Sequence, residues 1–146
     1  MHAFIYFKVL KESLRLAPPV VAIQRNNTED LIVNGVKIPA GSNIELNNYA
    51  LSRDQRFWDE PETFKPERFK AETNRNPYAY FPFALGPRVC IGQHFAMIEA
   101  KVIMSKIFQA FNFSLVPGVE LRCINDMTLQ PLDKTPLYLT LRKGDN

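Results

Sequence analysis

The stretch that decides the fold of this chain is Phe83-Ala84-Leu85-Gly86-Pro87-Arg88-Val89-Cys90-Ile91-Gly92. A cysteine is held as a thiolate by a metal, a nearby cation or a helix N-terminus, and Arg88 and the apolar helical pattern from Ile91 offer the last two. Gly86 and Gly92 lack a Cβ, so the backbone there can adopt positive φ and approach a planar ligand. The stretch predicts a thiolate facing a flat anionic ligand, although a lone cysteine is more often a small buried side chain.

Five positions of this stretch match the pattern F-x-x-G-x-R-x-C-x-G, and at this point the chain resembles the cytochrome P450 family. The resemblance implies a haem cofactor with Cys90 as the proximal iron ligand, in the thiolate mode that favours O–O cleavage. It also implies that Arg88 pairs with a haem propionate and that Phe83 packs beside the sulfur and limits water. The haem-contacting residues implied in this way are Arg25, Phe83, Gly86, Arg88, Cys90, Ile91, Gly92 and Ala96.

Two upstream elements strengthen the resemblance. Glu12 and Arg15 share a helix face, and Pro66-Glu67-Arg68-Phe69 follows before the cysteine. Alone, an i, i+3 pair is most simply a solvated surface pair worth tenths of a kcal/mol. Together the two elements resemble the E-x-x-R and P-E-R-F motifs of the family in the same order. The resemblance implies a buried triad of Glu12, Arg15 and Arg68 that supports folding and haem retention.

The same resemblance assigns one further haem contact and two substrate-contact segments. Arg25 lies ten positions after Arg15, where the family often has a basic residue that reaches a propionate, although a solvated arginine is the alternative. One apolar segment and one hairpin tip resemble substrate-contact segments. Their residues are Val20, Val21, Ala22, Ile23, Met127 and Thr128.

Composition excludes several other classes. A length of 146 residues is typical of one domain and is enough for a real core to be possible. The net charge of +3 is spread without a basic arm, which gives nucleic-acid binding little support. Two cysteines cannot form a disulfide framework, and we find neither a signal peptide nor a membrane-spanning run of about 20 apolar residues. Cys90 and His94 have the spacing of two zinc ligands, but a structural zinc site needs four, and Cys123 and His2 show no paired spacing.

The patterns predict a mainly α fold with small β-sheets, an α+β class that the resemblance identifies as the incomplete C-terminal haem-binding portion of the P450 fold. We expect residues 1–146 to form one continuous portion of a single domain. The predicted helices are Phe4–Leu16, one or two turns in Tyr49–Arg53, and a largely buried helix over Ile91–Phe111; Phe57–Phe69 should be a packed loop. Predicted strands are Val20–Ile23, a hairpin of Leu31–Val33 and Val36–Ile38 turning at Asn34-Gly35, Asn43–Asn47, Phe113–Val116, Leu121–Ile124 and Leu137–Leu141.

The resemblance covers the C-terminal third of a complete member. It implies a haem-thiolate monooxygenase that inserts one oxygen atom of dioxygen into an apolar substrate, such as a sterol or another lipid, with electrons from an NADPH-dependent reductase or another donor. The distal helix that delivers protons would precede residue 1, so the chain looks truncated, contains no catalytic residue of its own and should have little activity alone. The alternative is a non-catalytic haem-binding or interaction protein that lacks the distal half.

Within the family, the cysteine stretch and the tail around Thr128–Asp133 look most like microsomal animal enzymes, with cholesterol 24-hydroxylase the nearest. This likeness implies a parent enzyme on the cytoplasmic face of the endoplasmic reticulum membrane, attached through segments outside this chain. A basic side chain such as Lys101 would then meet an acidic reductase surface or simply be solvated.

Overall fold

The computed structural model describes residues 2–70 and 76–142, and residues 2–4 by their backbone only. The helices are α1 (His2–Leu16), α2 (Asn48–Leu51) and α3 (Gln93–Ala110), with short 3-10 turns at Pro66–Phe69, Pro77–Ala79 and Gly86–Arg88. The strands are β1 (Ala22–Asn26), β2 (Leu31–Val33), β3 (Val36–Ile38), β4 (Asn43–Asn47), β5 (Phe111–Leu115), β6 (Cys123–Asp126), β7 (Thr128–Pro131) and β8 (Leu137–Leu141). The fold is α+β, as predicted.

The strands form small antiparallel pairs: β1 with β4, β2 with β3, β5 with β8, and β6 with β7. The β2–β3 hairpin turns at Asn34 and Gly35, whose φ values are 49° and 80°. Positive φ at both central residues gives the backbone twist that two-residue hairpins favour, so the predicted Asn-Gly turn is confirmed. The first predicted strand is displaced, since β1 begins at Ala22 and leaves Val20 and Val21 in the connection from α1.

The apolar core is small and lies beside α1. Trp58 and Ala79 are each 1% exposed and Phe69 is 9% exposed. The Trp58 and Phe69 rings contact the ring of Tyr80, with centroid separations of 6.1 and 5.0 Å, and the Tyr80 hydroxyl donates to the Lys11 carbonyl of α1 at 3.0 Å. The predicted packed loop therefore holds the aromatic centre of the chain against the first helix.

The prediction that α3 is largely buried is wrong for this chain. The helix packs on α1, where Tyr6 and Phe108 stack with ring centroids 5.9 Å apart, and on β5. Its outward apolar residues Phe95, Ile98 and Val102 are 70%, 61% and 55% exposed. The sequence pattern correctly identified the apolar residues of this helix. Among the described residues, however, few lie over the side of the helix that carries them.

The whole chain exposes 11256 Å². A monomeric globular protein of its 16.8 kDa mass would expose about 7,700 Å². The chain therefore leaves more of its surface exposed than a monomeric globular protein of the same mass.

Candidate haem-thiolate site

The loop that carries Cys90 is folded by local hydrogen bonds. The Cys90 N–H donates to the Phe83 carbonyl at 2.8 Å, and the Val89 N–H donates to the Gly86 carbonyl at 3.0 Å across a 3-10 turn. Gly86 adopts a φ of +73° and Ala84 a φ of +62°. The left-handed backbone at these two positions reverses the chain and returns Cys90 to a place beside Phe83.

Gly92 does not use the conformational freedom that its sequence position suggested. Its φ is −82°, and it is the N-cap of α3, so the expectation of positive φ is met at Gly86 and is wrong at Gly92. A Cβ at Gly92 would lie 3.8 Å from Cys90 Sγ. That distance is an ordinary van der Waals contact, so the structure itself would accept a small side chain at this position.

Cys90 immediately precedes the N-terminus of α3. Its carbonyl accepts from the Gln93 N–H at 3.2 Å, and the first α-helical hydrogen bond runs from the Ala96 N–H to the Gly92 carbonyl at 2.9 Å. The helix thus begins two residues later than the apolar pattern predicted, because residues 91 and 92 form a turn.

The exposed thiol of Cys90 faces a cavity of about 330 Å³. Five of the residues proposed from the sequence line this cavity: Val20, Ile23, Phe83, Arg88 and Cys90. The remaining lining residues were missed, namely Leu14, Pro19, Pro82 and Ala84. Leu14 lies in the first helix, and its approach to a cysteine 76 positions later depends on tertiary packing that no local sequence pattern encodes.

Other predicted haem-contacting residues lie beside this cavity. Arg25 lines a neighbouring space of about 520 Å³ that shares Ile23, and its Nη1 donates to the Gln24 carbonyl at 2.8 Å. Gly86 lines a third space of about 460 Å³ between the loop, α1 and α3. The structure does not bring these two residues to the walls of the Cys90 cavity.

The remaining candidates also lie outside its lining. Ile91 is fully exposed and Met127 is 98% exposed. Gly92 is beside the sulfur without lining the cavity, and the other residues outside the lining are Ala96, Val21, Ala22 and Thr128. Met127 does sit at the hairpin tip that the sequence predicted, with a φ of +57° between β6 and β7.

The predicted triad contact is present. Glu12 and Arg15 are both fully buried, and Glu12 accepts from Arg15 Nε and Nη2 at 2.9 Å each. Arg68 Nε donates to Glu12 Oε1 at 3.0 Å, and the Lys65 backbone N–H donates to the same oxygen at 2.8 Å. One carboxylate therefore receives four hydrogen bonds from the first helix and the loop before the cysteine.

The arginines extend this cluster into the loop backbone. Arg15 Nη1 donates to the carbonyls of Ser52 and Pro61 at 2.7 and 2.6 Å, and Arg68 Nη1 donates to the Asp59 carbonyl at 2.8 Å. Sequence motifs named the three charged side chains but not these carbonyl partners. Because backbone carbonyls carry no residue-type signal, only the folded loop could reveal them.

The environment of Glu12 favours its ionised form. Burial by itself raises the pKa of the carboxyl, but the hydrogen bonds from Arg15 and the Lys65 N–H, the charge of Arg15 and the hydrogen bond from Arg68 together lower the pKa below its usual 4.5. The planar guanidinium fork of Arg15 supplies two of these bonds to one carboxylate. Glu12 therefore acts as a buried anion that ties two segments together.

Neither a metal cluster nor a membrane span stands out in the described ranges. There, no three His, Cys, Asp or Glu side chains gather as metal ligands would. Over residues 2–70 and 76–142 no helix combines the length and hydrophobicity needed to cross a bilayer. Lys101, the basic side chain considered for a reductase contact or for the solvated surface, has its Nζ 4.8 Å from the centre of the Phe7 ring.

Comparison with known proteins agrees with the resemblance. The family model described as Cytochrome P450 matches residues 6–140. The chain is 48% identical over 136 residues to Cytochrome P450 4d2 of Drosophila melanogaster, covering 92% of this chain and 27% of the relative. It is 43% identical over 106 residues to Cytochrome P450 3A5 of Homo sapiens, covering 72% of this chain and 21% of the relative.

Solved structures show the same likeness. The retinoic acid bound cyanobacterial CYP120A1 aligns with a TM-score of 0.88 and 32% identity, covering 92% of this chain and 32% of that one. The cytochrome P450DA heme domain aligns with a TM-score of 0.89 and 29% identity, covering 94% and 31%. These matches imply a haem cofactor. The chain spans about a quarter of the length of the curated relatives it matches.

The matches also limit the subfamily assignment. The relatives found belong to the 4 and 3A groups of the family, and they give no support to the likeness to cholesterol 24-hydroxylase. The family itself is shown by the model match, by the relatives and by the solved haem domains together. The chain belongs to the cytochrome P450 family.

Proposed function

We propose that residues 1–146 are the C-terminal, haem-binding portion of a single-domain haem-thiolate monooxygenase. The whole protein would insert one oxygen atom of dioxygen into an apolar substrate while the other leaves as water. The observation that carries this proposal is the exposed thiol of Cys90 on a cavity that also receives Arg88 and the apolar side chains of Val20 and Ile23.

The residues present fit a haem. Cys90 offers an exposed sulfur ligand on the wall of the cavity. The exposed guanidinium of Arg88 lies on the same cavity and suits a propionate. Bound haem would supply the one-electron and dioxygen chemistry that amino-acid side chains lack.

Each residue has a separate role in this proposal. Cys90 ligates the iron as thiolate, and Arg88 neutralises a propionate, with Arg25 reaching the cofactor from the adjoining cavity. Val20 and Ile23 keep water from the ligand face, because apolar walls exclude solvent from such a site. Glu12, Arg15 and Arg68 hold the loop in place and touch no substrate.

The wider setting is also a proposal. The parent protein would receive electrons from an NADPH-dependent reductase or another donor and would lie on the cytoplasmic face of the endoplasmic reticulum. Membrane attachment would come from segments outside residues 1–146. The distal proton-delivering helix is likewise assigned outside this chain, so the chain alone should bind haem with little monooxygenase activity.

The test is the carbon-monoxide difference spectrum of the reduced, haem-loaded chain. Thiolate ligation predicts a red-shifted Soret band that is lost in Cys90→Ser. Cys123→Ser is the matched control, since Cys123 is also an exposed free cysteine but lies on β6, outside the lining of the cavity. The control should retain the band.

One outcome would overturn the proposed ligation. A Soret band that survives Cys90→Ser would show that another side chain ligates the iron. Absence of haem uptake, in a chain whose fold is intact by Trp58 fluorescence, would refute haem binding by residues 1–146 alone and would leave the interpretation of a fragment whose haem site needs segments outside it.

A further inference from the structure

A second cavity beside the cysteine loop takes no part in the proposed function. It is the space of about 460 Å³ between the loop, α1 and α3, here called the α1–α3 cavity. Neither Cys90 nor Arg88 lines it, although Phe83 and Ala84 line both this cavity and the one that Cys90 faces. Small-molecule sites in proteins have volumes of about 300–1,000 Å³, so the α1–α3 cavity is large enough for a ligand of its own.

The walls of the α1–α3 cavity are mostly apolar. Phe7, Lys11 and Leu14 line it from α1, where spacings of four and three residues place them on one helix face. Apolar side chains of the loop and of α3, Met97 among them, complete the walls. The polar side chains among the described lining residues are Lys11, Tyr80 and Gln93. Of these described lining residues Lys11 alone is charged, so the lining combines an apolar surface with one cation.

Aromatic rings hold the Lys11 ammonium at the cavity wall. Its Nζ lies 4.3 Å from the ring centre of Phe7 and 5.7 Å from that of Phe69. Phe7 itself lines the cavity, so the positive charge lies next to the apolar space. A cation over an aromatic ring keeps its charge and still attracts an anion. The cavity therefore suits a molecule with an apolar body and one negative group.

We propose that the α1–α3 cavity is a binding site for an amphipathic carboxylate, a small molecule whose anionic group lies at Lys11 and whose apolar body lies against Leu14 and Met97. The site is distinct from the haem site, and its occupancy does not depend on the proposed function. Because Phe83 and Ala84 belong to both cavities, the bound molecule contacts the segment that precedes Cys90.

Equilibrium dialysis with the full 146-residue chain tests the charge. The probes are 2-naphthoate and its neutral analogue 2-naphthamide, and we expect naphthoate to bind more tightly. Lys11→Met should weaken naphthoate by about fivefold and leave naphthamide within about twofold, because methionine keeps an apolar stem and removes the cation. Lys106→Met is the matched control, since Lys106 is exposed on α3 outside the lining, and it should change neither affinity.

Methionine methyl NMR of the parent chain tests the location without any variant. Naphthoate protons should show Overhauser contacts to the Met97 methyl, whereas Met104 and Met127 lie outside the lining and should show none. Met97→Trp should abolish binding by filling the cavity. Met104→Trp, at a half-buried position on the same helix, should leave the affinity within about twofold.

Three results would each overturn the proposal. These are equal affinities of the parent chain for the two probes, equal losses in Lys11→Met and Lys106→Met, and contacts from naphthoate to Met104 or Met127 in place of Met97. The probe ratio and the methyl contacts use the parent chain, so they decide the question even where a variant fails to fold. Haem uptake is measured separately, and its failure would refute haem binding by this chain while leaving the carboxylate site in place.

Discussion

Replacing Glu12 by alanine is the most informative single perturbation of this fold. The side chain is fully buried, and its two oxygens accept four hydrogen bonds from Arg15, Lys65 and Arg68. Removal would leave the buried Arg15 guanidinium without its carboxylate. Breaking a buried ion pair in this way costs about 3–5 kcal/mol of unfolding free energy. That is a large part of the roughly 5–15 kcal/mol available to a typical domain.

Urea unfolding followed by tryptophan fluorescence measures this loss directly. The chain has a single tryptophan, Trp58, which is 1% exposed and has the Arg15 guanidinium carbon 5.0 Å from its ring centre. With a urea slope of about 1–3 kcal/mol per molar, the midpoint should fall by more than 1 M, or the variant should be unfolded without denaturant. Glu99→Ala is the matched control on exposed surface of α3 and should change stability by less than about 0.5 kcal/mol.

The same carboxylate gives a pH dependence of known sign. The pKa of Glu12 is lowered in the folded chain below the usual 4.5, so its stabilising contribution is complete at pH values above 4.5 and is lost as the pH falls through the lowered pKa. The stability gap between the parent and Glu12→Ala should therefore be constant near neutrality and shrink in acid. A midpoint for Glu12→Ala equal to that of the parent at pH 7, or a gap that widens in acid, would refute the assignment of Glu12 as a structural anion.

Three further substitutions test the neighbouring assignments. Arg15→Lys should cost about 2–4 kcal/mol in the same urea assay, because the three donors on one ammonium nitrogen cannot replace the five hydrogen bonds of the Arg15 guanidinium. Arg56→Lys on the surface should be nearly neutral, and equal effects of the two substitutions would contradict the fork geometry. Ala84→Gly should raise the free energy of unfolding by about 0.5–1 kcal/mol, because relief of the left-handed φ of +62° outweighs the extra freedom of glycine in the unfolded chain. Ala100→Gly within α3 is the control and should lower the free energy of unfolding. A lower value for Ala84→Gly would refute the argument that Ala84 is strained. Arg88→Ala should weaken haem uptake, measured by Soret titration, about two- to fivefold more than Arg56→Ala, and no difference between the two would argue against a propionate contact.

Sequence patterns predicted best where the physical cause is local. The Asn34-Gly35 turn needs positive φ at two adjacent residues, and asparagine and glycine tolerate it, so composition and conformation coincide. The triad of Glu12, Arg15 and Arg68 was predicted from the order of the E-x-x-R and P-E-R-F motifs, and not from the apolar periodicity that predicts helices. The structure then added their carbonyl partners, which no side-chain pattern encodes.

Predictions failed where the outcome depends on what covers a surface or on distant packing. The periodicity of α3 shows which residues are apolar, but exposure of Phe95 and Ile98 depends on chain that would have to lie over them. Arg25 lines the neighbouring cavity, which shares Ile23 with the Cys90 cavity, and its contact with a propionate stays a prediction. Gly92 has a φ of −82°, so it does not use the backbone freedom that singled it out, and its contact with haem stays a prediction.

The triad and the cavity are linked by adjacency along α1. Arg15 anchors the helix end to the loop, and the residue before it, Leu14, lines the cavity that Cys90 faces. Arg53 Nη2 also donates to the Leu16 carbonyl at 2.7 Å, so the two residues that follow Leu14 in α1 are both held by hydrogen bonds. These bonds fix the end of the helix from which Leu14 reaches the cavity. A loss of Glu12 should therefore reach the cofactor site through α1, even though the carboxylate itself never contacts it.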